Sequence, residues 1–366
     1  MKDIRRIGIM TGGGDCPGLN AVIRAVAKTA MSMYGVEAYG IEDGFLGLIE
    51  NRIHPLTYDD VSNILTRGGT ILGTSNKADP ARFAVRVGAD GKPVFEDMTP
   101  KVLANVEAHK LDAIVCIGGD GTMTGAANLC RHGVRIVGVP KTIDNDLMHT
   151  EITFGFQTAV ATATDALDKI HTTASSHHRV MLVEIMGRNA GWLTLESGIA
   201  SGADIILIPE IPYELDAVCE ACLRRSRHGK KFTIVAVSEG ARARGGGQVI
   251  QRIVPDSPDP VRLGGIAHVL VDQIAQRTGL EVRATVLGHV QRGGTPVACD
   301  RVLATRFGFH AMELLAAGRF NELVVMQNSQ LTSVPIESVA GKQRLVPADH
   351  PLIAAARAVG TSFGEK

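Results

Sequence analysis

Apolar residues along this chain come in short unbroken runs, and between the runs they repeat at helical spacing. Arg5–Thr11 is the first run and ends in glycines; Gly18–Tyr34 then places apolar positions on one face of a helix. Val36–Ile41 is a second strand candidate. Asp112–Ile117 is an uninterrupted apolar run followed by a glycine turn and a helix from about Thr122 to His132, and Val134–Val139 is another strand. After Phe154 the pattern resumes with a small-residue-rich helix over Gly155–Thr173. Arg179–Met186, Asp204–Ile208 and Phe232–Ser238 read as further strands separated by helices, one of them Leu215–Arg227. Continuous apolar strands alternating with helices predict parallel sheets covered on both faces. At 366 residues the chain exceeds the usual size of one hydrophobic core. The expected fold is therefore α/β, with two facing α/β domains of mainly parallel, helix-covered sheets. Gly240–Pro260, with three consecutive glycines and three prolines, is expected to be an exposed, loop-rich insertion.

Composition narrows the classes of partner. Lys+Arg and Asp+Glu are both 38, so the formal net charge is zero. No basic block interleaves with aromatics, which argues against a nucleic-acid partner. An anionic ligand must then be held by local arginines and backbone amides. Several of the six cysteines sit inside apolar runs, as reduced buried thiols do. Cys219 and Cys222 have the spacing of a redox or zinc pair, but they fall on one predicted helix and no second pair follows. The N-terminal ten residues lack a leader pattern, and no apolar run is long enough for a membrane span. A cytoplasmic protein without a membrane partner is expected.

The candidate chemistry lies just after the predicted strands, where ligands of open parallel sheets bind. Gly12-Gly13-Gly14-Asp15-Cys16-Pro17-Gly18 opens the first helix. It is neither a Gly-Lys-Ser/Thr phosphate loop nor a dinucleotide fingerprint, since Pro17 stands where the third glycine belongs. It reads equally well as a phosphate cradle or as a ligand-free tight turn. Gly118-Gly119-Asp120-Gly121-Thr122 offers close backbone approach, a carboxylate for Mg²⁺ and a hydroxyl. A helix cap would explain Asp120 but not its glycines. In Pro140-Lys141-Thr142-Ile143-Asp144-Asn145-Asp146, an extended backbone would point Thr142, Asp144 and Asp146 the same way. One carboxylate would accept a hydroxyl proton while the other orients the acceptor or binds metal. Together these strings are an inventory for moving a phosphoryl group from a polyphosphate to an alcohol. Met186-Gly187-Arg188, Glu239, and the stretch from Arg283 through His289 to Arg292 add weaker candidates.

Taken in order, GGGDCPGLNAVIR, GGTILGT, GGDGT, PKTIDND, GFQTA, SSHHR, EIMGRNAGW, SEG and TVLGHVQRGGTPVACDR resemble the phosphofructokinase family from about Arg5 to Ala317. The resemblance implies phosphoryl transfer to the 1-hydroxyl of fructose 6-phosphate. It also implies a phosphoryl-donor domain, residues 1–154 with about 292–335, and a sugar-phosphate domain, residues 155–291 with about 336–366. On the matching positions Asp144 is the base, Asp120 helps bind Mg²⁺, and Gly13 meets the donor phosphate. Gly119, Gly121, Thr122, Lys77 and Lys141 complete the donor side. Thr142 and Asp146 hold the reacting groups, and Arg188 stabilises the transferring phosphoryl. Met186, Gly187 and Glu239 hold the sugar; His289 and Arg292 grip the 6-phosphate. Arg179 and Arg283 match arginines that reach this phosphate from a neighbouring subunit, which implies a homo-oligomer with shared sites.

The donor is read from two positions. Pyrophosphate users in the family typically carry aspartate where Gly121 stands, so Gly121 favours ATP, whereas Lys141 is typical of pyrophosphate users. ATP is expected, with a pyrophosphate-dependent enzyme as the alternative. One departure is visible: where the family usually has a phosphate-bridging arginine, this chain has Asn76 and then Lys77. That departure keeps open a third reading, a catalytically weak regulatory paralogue that binds sugar phosphate.

Overall fold

Fifteen strands and the helices between them build two α/β units in the computed structural model, which describes residues 4–257 and 259–365. The strands are β1 (Arg6–Thr11), β2 (Glu37–Ile41), β3 (Ile53–Leu56), β4 (Phe83–Val87), β5 (Pro93–Glu96), β6 (Ala113–Gly118) and β7 (Ile136–Pro140). They continue as β8 (Val180–Ile185), β9 (Ile205–Leu207), β10 (Thr233–Ser238), β11 (Ile250–Ile253), β12 (Val261–Leu263), β13 (Val282–Val286), β14 (Glu322–Gln327) and β15 (Gln330–Pro335). A seven-stranded sheet has the order β15-β14-β7-β6-β1-β2-β3, parallel from β14 to β2 with one antiparallel strand at each edge. A four-stranded sheet, β13-β8-β10-β9, is wholly parallel.

Burial explains the runs. Every residue of β6, β7, β8 and β10 is buried, because helices cover both faces. The helix Leu19–Tyr34 buries nine residues on its inner face, including Leu19, Val22, Ile23 and Val26, and packs along Ala298–Ala316. It ends at Gly35, whose φ of 63° is the left-handed cap that stops helices. One apolar cluster runs through both units. Ile7 and Val115 from the large sheet join Val183 and Ile206 from the small one through the fully buried Phe154 and Phe307. The two sheets are thereby held against each other, not merely tethered.

The insertion differs from its expected loop form. Residues 250–253 and 261–263 pair as an antiparallel hairpin, β11-β12. Ile250, Ile253, Val261 and Leu263 supply the β-branched and aliphatic positions that suit strands, while the flanking glycines and prolines dominate the sequence pattern. A second hairpin, β4-β5, stands apart from both sheets.

The C-terminal ends of β1, β6 and β7 release the segments beginning at Gly12, Gly119 and Lys141. Those of β8, β10 and β13 release Met186–Gly191, Glu239 and Leu287–Arg292. The two sheets thus bring six short segments to one cleft.

Candidate functional site

On the donor side, three backbone segments interlock. Gly13 N–H donates to the Ser75 carbonyl at 3.1 Å, and the Thr74 hydroxyl donates back to the Gly13 carbonyl at 2.6 Å. Thr122 is buried, and a Cβ on either Gly12 or Gly118 would collide with its side chain. Those two glycines are therefore needed to seat the first turn of the helix Asp120–Arg131 against β1 and β6. The Thr122 hydroxyl faces this backbone, so what this segment offers a donor is chiefly its helix N-terminus and Asp120. Asp120 lies one residue inside the helix, partly exposed, with Oδ1 accepting from Gly121 N–H at 2.6 Å.

Lys141 is buried beneath the glycine loop, and its Nζ donates to the Gly14 carbonyl. Burial pulls its pKa below the ordinary lysine value. Arg292 lies over the same loop: its Nη1 donates to the Asp15 carbonyl at 3.1 Å, and a Cβ on Gly14 would strike its guanidinium. The loop is thus floored by one cation and flanked by another.

The aspartate segment is not the simple extended strand that alternation predicted. Asn145 takes a left-handed φ of 51° and breaks the alternation. Its side chain stabilises that turn, with Oδ1 accepting from Thr153 N–H at 3.0 Å and Nδ2 donating to the Glu151 carbonyl at 3.3 Å. Asp144 and Asp146 are nonetheless both buried and electrostatically coupled. Among the described residues Asp144 Oδ1 has no hydrogen-bond partner, an orphaned acceptor of the kind that marks a site awaiting a donor. Burial pushes its carboxyl up; Arg292, Arg188 and Lys141 oppose that, in falling order. Asp146 is pushed up to about 7, by burial first and by Asp144 and Asp120 next.

Across the cleft, Glu239 holds the turn after β8. Its Oε1 accepts from Arg188 N–H at 3.0 Å and Gly187 N–H at 3.3 Å. Arg188 itself has a left-handed φ of 52° and Gly187 one of 140°, so the carboxylate bonds stabilise a strained backbone. Burial and the neighbouring Asp144 raise Glu239 to about 7. Met186 N–H donates to Gln291 Oε1 at 3.4 Å, which ties the β8 turn to the Gly288–Arg292 segment. His289 is exposed on that segment.

Arg179 and Arg283 are not brought to this cleft within one chain. Both pair with Glu281, at 2.8 Å each, at the opposite, N-terminal edge of the small sheet. Arg179 there lines a pocket of about 230 Å³ with His178, Lys230 and Lys231.

The hairpin supplies contacts that the sequence did not announce. Asp256 accepts from Lys77 Nζ at 2.7 Å, and Asp259 pairs with Arg188. Ser257 Oγ reaches the Asn76 carbonyl at 3.5 Å. Carboxylates at the hairpin tip thus engage two cations that sequence reasoning assigned to phosphate. These pairs are partly exposed, with side chains of Lys77 and Asp256 at 56% and 40% exposure, so they exchange readily for a better anion.

No group of three His, Cys, Asp or Glu suited to a metal occurs among the described residues. Mg²⁺ keeps waters and binds through one or two carboxylates plus substrate phosphates, so it does not need such a group. Asp120, partly exposed and facing the aspartate segment electrostatically, is a carboxylate of that kind.

Comparison with known proteins bears on the whole chain. A family model described as Phosphofructokinase matches residues 6–315. An ATP-dependent 6-phosphofructokinase 2 of Clostridium perfringens is 49% identical, over 100% of both chains. An ATP-dependent 6-phosphofructokinase of Propionibacterium freudenreichii is 48% identical, over 98% of this chain and 99% of its own. Among solved structures, a phosphofructokinase from Saccharomyces cerevisiae superposes with a TM-score of 0.76 and 31% identity; the match covers 92% of this chain but 45% of the yeast chain. A pyrophosphate-dependent phosphofructokinase from Nitrosospira multiformis shares the fold, with a TM-score of 0.79 at 19% identity over 94% of this chain.

Proposed function

Because this chain belongs to the phosphofructokinase family, we propose that its cleft transfers a phosphoryl group from ATP to the 1-hydroxyl of fructose 6-phosphate, giving fructose 1,6-bisphosphate. The observation that carries the reading is the buried, unpartnered Asp144 Oδ1, placed among Arg292, Arg188 and Lys141. A carboxylate so placed accepts the hydroxyl proton late, while the surrounding cations favour its ionised form.

The remaining roles follow from position. The glycine loop from Gly13 to Asp15 and the N-terminus of the helix Asp120–Arg131 receive the donor phosphates, with Gly119, Gly121 and Thr122 forming the turn that presents them. Lys141 stiffens that loop from below, and Lys77 moves from Asp256 to phosphate. Asp120 would hold Mg²⁺, which would neutralise polyphosphate charge. Arg188, released from Asp259, meets the transferring phosphoryl, and Thr142 and Asp146 hold the reacting groups. Met186, Gly187 and Glu239 hold the sugar, while His289 and Arg292 grip its 6-phosphate. Positioning and charge neutralisation, more than proton removal, set the rate in such a reaction.

We infer a partition of 1–154 with about 292–335 and 155–291 with about 336–366 from this division of labour. Strands β14 and β15 extend the donor-side sheet. The C-terminal segment serves both units: Ile336 and Val339 pack on the donor side, whereas Ser362 bridges to β9. No helix among the described residues is long and apolar enough to cross a membrane.

ATP is favoured over pyrophosphate as donor, since curated relatives of 44–49% identity are named ATP-dependent. The test is fructose 1,6-bisphosphate formation from fructose 6-phosphate and Mg²⁺, with ATP and pyrophosphate run in parallel. Product with ATP alone is expected. Product with pyrophosphate alone would overturn the donor, and silence with both would move the weight to a regulatory paralogue.

We also propose that sites are shared in a homo-oligomer, Arg179 and Arg283 completing the 6-phosphate site of a neighbouring copy. Their placement at the far edge of the sheet supports this. Arg283→Ala and Asp144→Asn subunits, each inactive alone, should regain activity when mixed into hybrid oligomers. Hybrids that form yet stay inactive would count against sharing.

A further inference from the structure

Three carboxamides form a line across the mouth of the cleft. Gln248 Nε2 donates to Asn189 Oδ1 at 3.3 Å. Asn189 Nδ2 donates to Gln343 Oε1 at 3.1 Å. Gln343 Nε2 donates to Asp146 Oδ2 at 3.0 Å. The members come from three separate segments: the insertion before β11, the turn after β8 that carries Arg188, and the C-terminal stretch. The line has a direction set by chemistry. When Asp146 is ionised its carboxylate only accepts, so Gln343 then presents its NH₂ to it. Its oxygen then faces Asn189, which must present its own NH₂, and Gln248 follows in turn.

A second set of contacts clamps the same place through the backbone. Arg344 N–H donates to the Asp146 carbonyl at 2.7 Å. Its Nη2 and Nε donate to the Asn145 carbonyl at 2.7 and 3.2 Å. Its guanidinium lies 4.3 Å from the centre of the Trp192 ring, and Trp192 Nε1 donates back to the Arg344 carbonyl at 2.9 Å. Glu210 Oε1 accepts from both Gly191 and Val346 N–H at 2.9 Å. The stretch from Gln343 to Val346 is therefore bonded on one side to the aspartate segment and on the other to the turn bearing Arg188.

We propose that Gln248, Asn189 and Gln343 act as a directional carboxamide relay that positions the Asp146 carboxylate against the Arg188 turn. None of the three is placed to touch the reacting atoms; they act through Asp146 and are positioning residues. The relay uses neutral donors in a cleft already dense with charge. It fixes an oxygen of Asp146 without adding a cation that would compete for phosphate. It also links the two faces of the cleft by bonds that require both faces to be in register. Arg344 fixes the backbone around Asp146, and the relay fixes its side chain. This inference rests on the kinase reading above.

The test uses isosteric changes that remove a donor while keeping shape. Gln343→Glu and Asn189→Asp, compared with the wild-type enzyme, should each lower kcat about tenfold while KM for ATP and fructose 6-phosphate stays within about twofold. Gln248→Glu, the far end of the line, should lower it less. Because Gln343 and Asn189 act through one chain of bonds, the double variant should be no slower than about the slower single variant. Gln343→Leu offers a second view: it removes the charge question altogether and should show the same split between kcat and KM. Unchanged kcat in both Gln343→Glu and Gln343→Leu would overturn the relay, and so would multiplicative losses in the double variant or a loss confined to thermal stability. A wild-type enzyme inactive in the same assay would instead overturn the kinase reading, so the two failures are distinguishable.

Discussion

Asp144→Asn is expected to lower kcat by about a thousandfold, within the range that a positioned general base supplies, while KM for fructose 6-phosphate stays near wild type. The substitution keeps the shape of the side chain but removes its negative charge and, with it, its capacity to accept a full proton. Asp144 is buried, Oδ1 faces no protein donor, and three cations stand against it. A purely structural aspartate would have that oxygen satisfied. The same variant should not lose stability. Both Asp144 and Asp146 hold a proton more tightly in the folded chain than in the unfolded one. For such a carboxylate, stability is present at low pH and is lost as pH rises from its unfolded value towards its folded one, which for Asp146 is about 7. Removing one charge of the pair relieves that cost above pH 7. The melting temperature of Asp144→Asn at pH 8 should therefore equal or exceed that of wild type, with the difference shrinking towards pH 4. Retention of most of kcat would sink the base assignment. A large fall in melting temperature at pH 8 would show instead that Asp144 is a structural anchor.

What could be read from the chain follows the range over which each signal acts. β6 and β8 were legible because helices on both faces leave a strand no polar position, and this shows as an unbroken apolar run. The site segments were legible because each follows such a strand directly. Asn145 was misread because its left-handed turn depends on Thr153 and Glu151, residues that alternation does not weigh. The β11-β12 hairpin was hidden by the glycines and prolines around it. The pairing of Asp256 with Lys77 joins positions 179 apart, and that of Gln343 with Asp146 joins positions 197 apart. Nothing local in either sequence region signals its partner. Carboxamides are also common surface residues, so their line appears only when three loops converge. Arg179 and Arg283 show the reverse case: the family pattern assigned them to a phosphate, and one chain alone leaves them on Glu281.

Gly121→Asp is expected to reduce kcat/KM for ATP by about a hundredfold or more, with KM for fructose 6-phosphate little changed. Gly121 is exposed in the first turn of the helix Asp120–Arg131, and a Cβ built there meets no atom within 4 Å. The new side chain therefore has room, and a carboxylate in the first turn of a helix is favourable for the fold. Any loss must come from the ligand. On the proposed placement, an ATP with its terminal phosphates on the Gly13–Asp15 loop would carry its α-phosphate past this turn, where an added carboxylate would both crowd and repel it. Pyrophosphate has no third phosphate and no nucleoside, so it avoids the obstruction. Lys141 lies under the loop, where one of its Nζ donors goes to the Gly14 carbonyl. The variant should consequently lose ATP use without a matching loss of any pyrophosphate activity, and its melting temperature should hold or rise. The measurement is kcat/KM for both donors in wild type and variant, with melting curves of each. An ATP value within about threefold of wild type would mean that the nucleotide enters by another path. Donor choice would then rest on Lys141 and its surroundings, not on the open position in the helix turn.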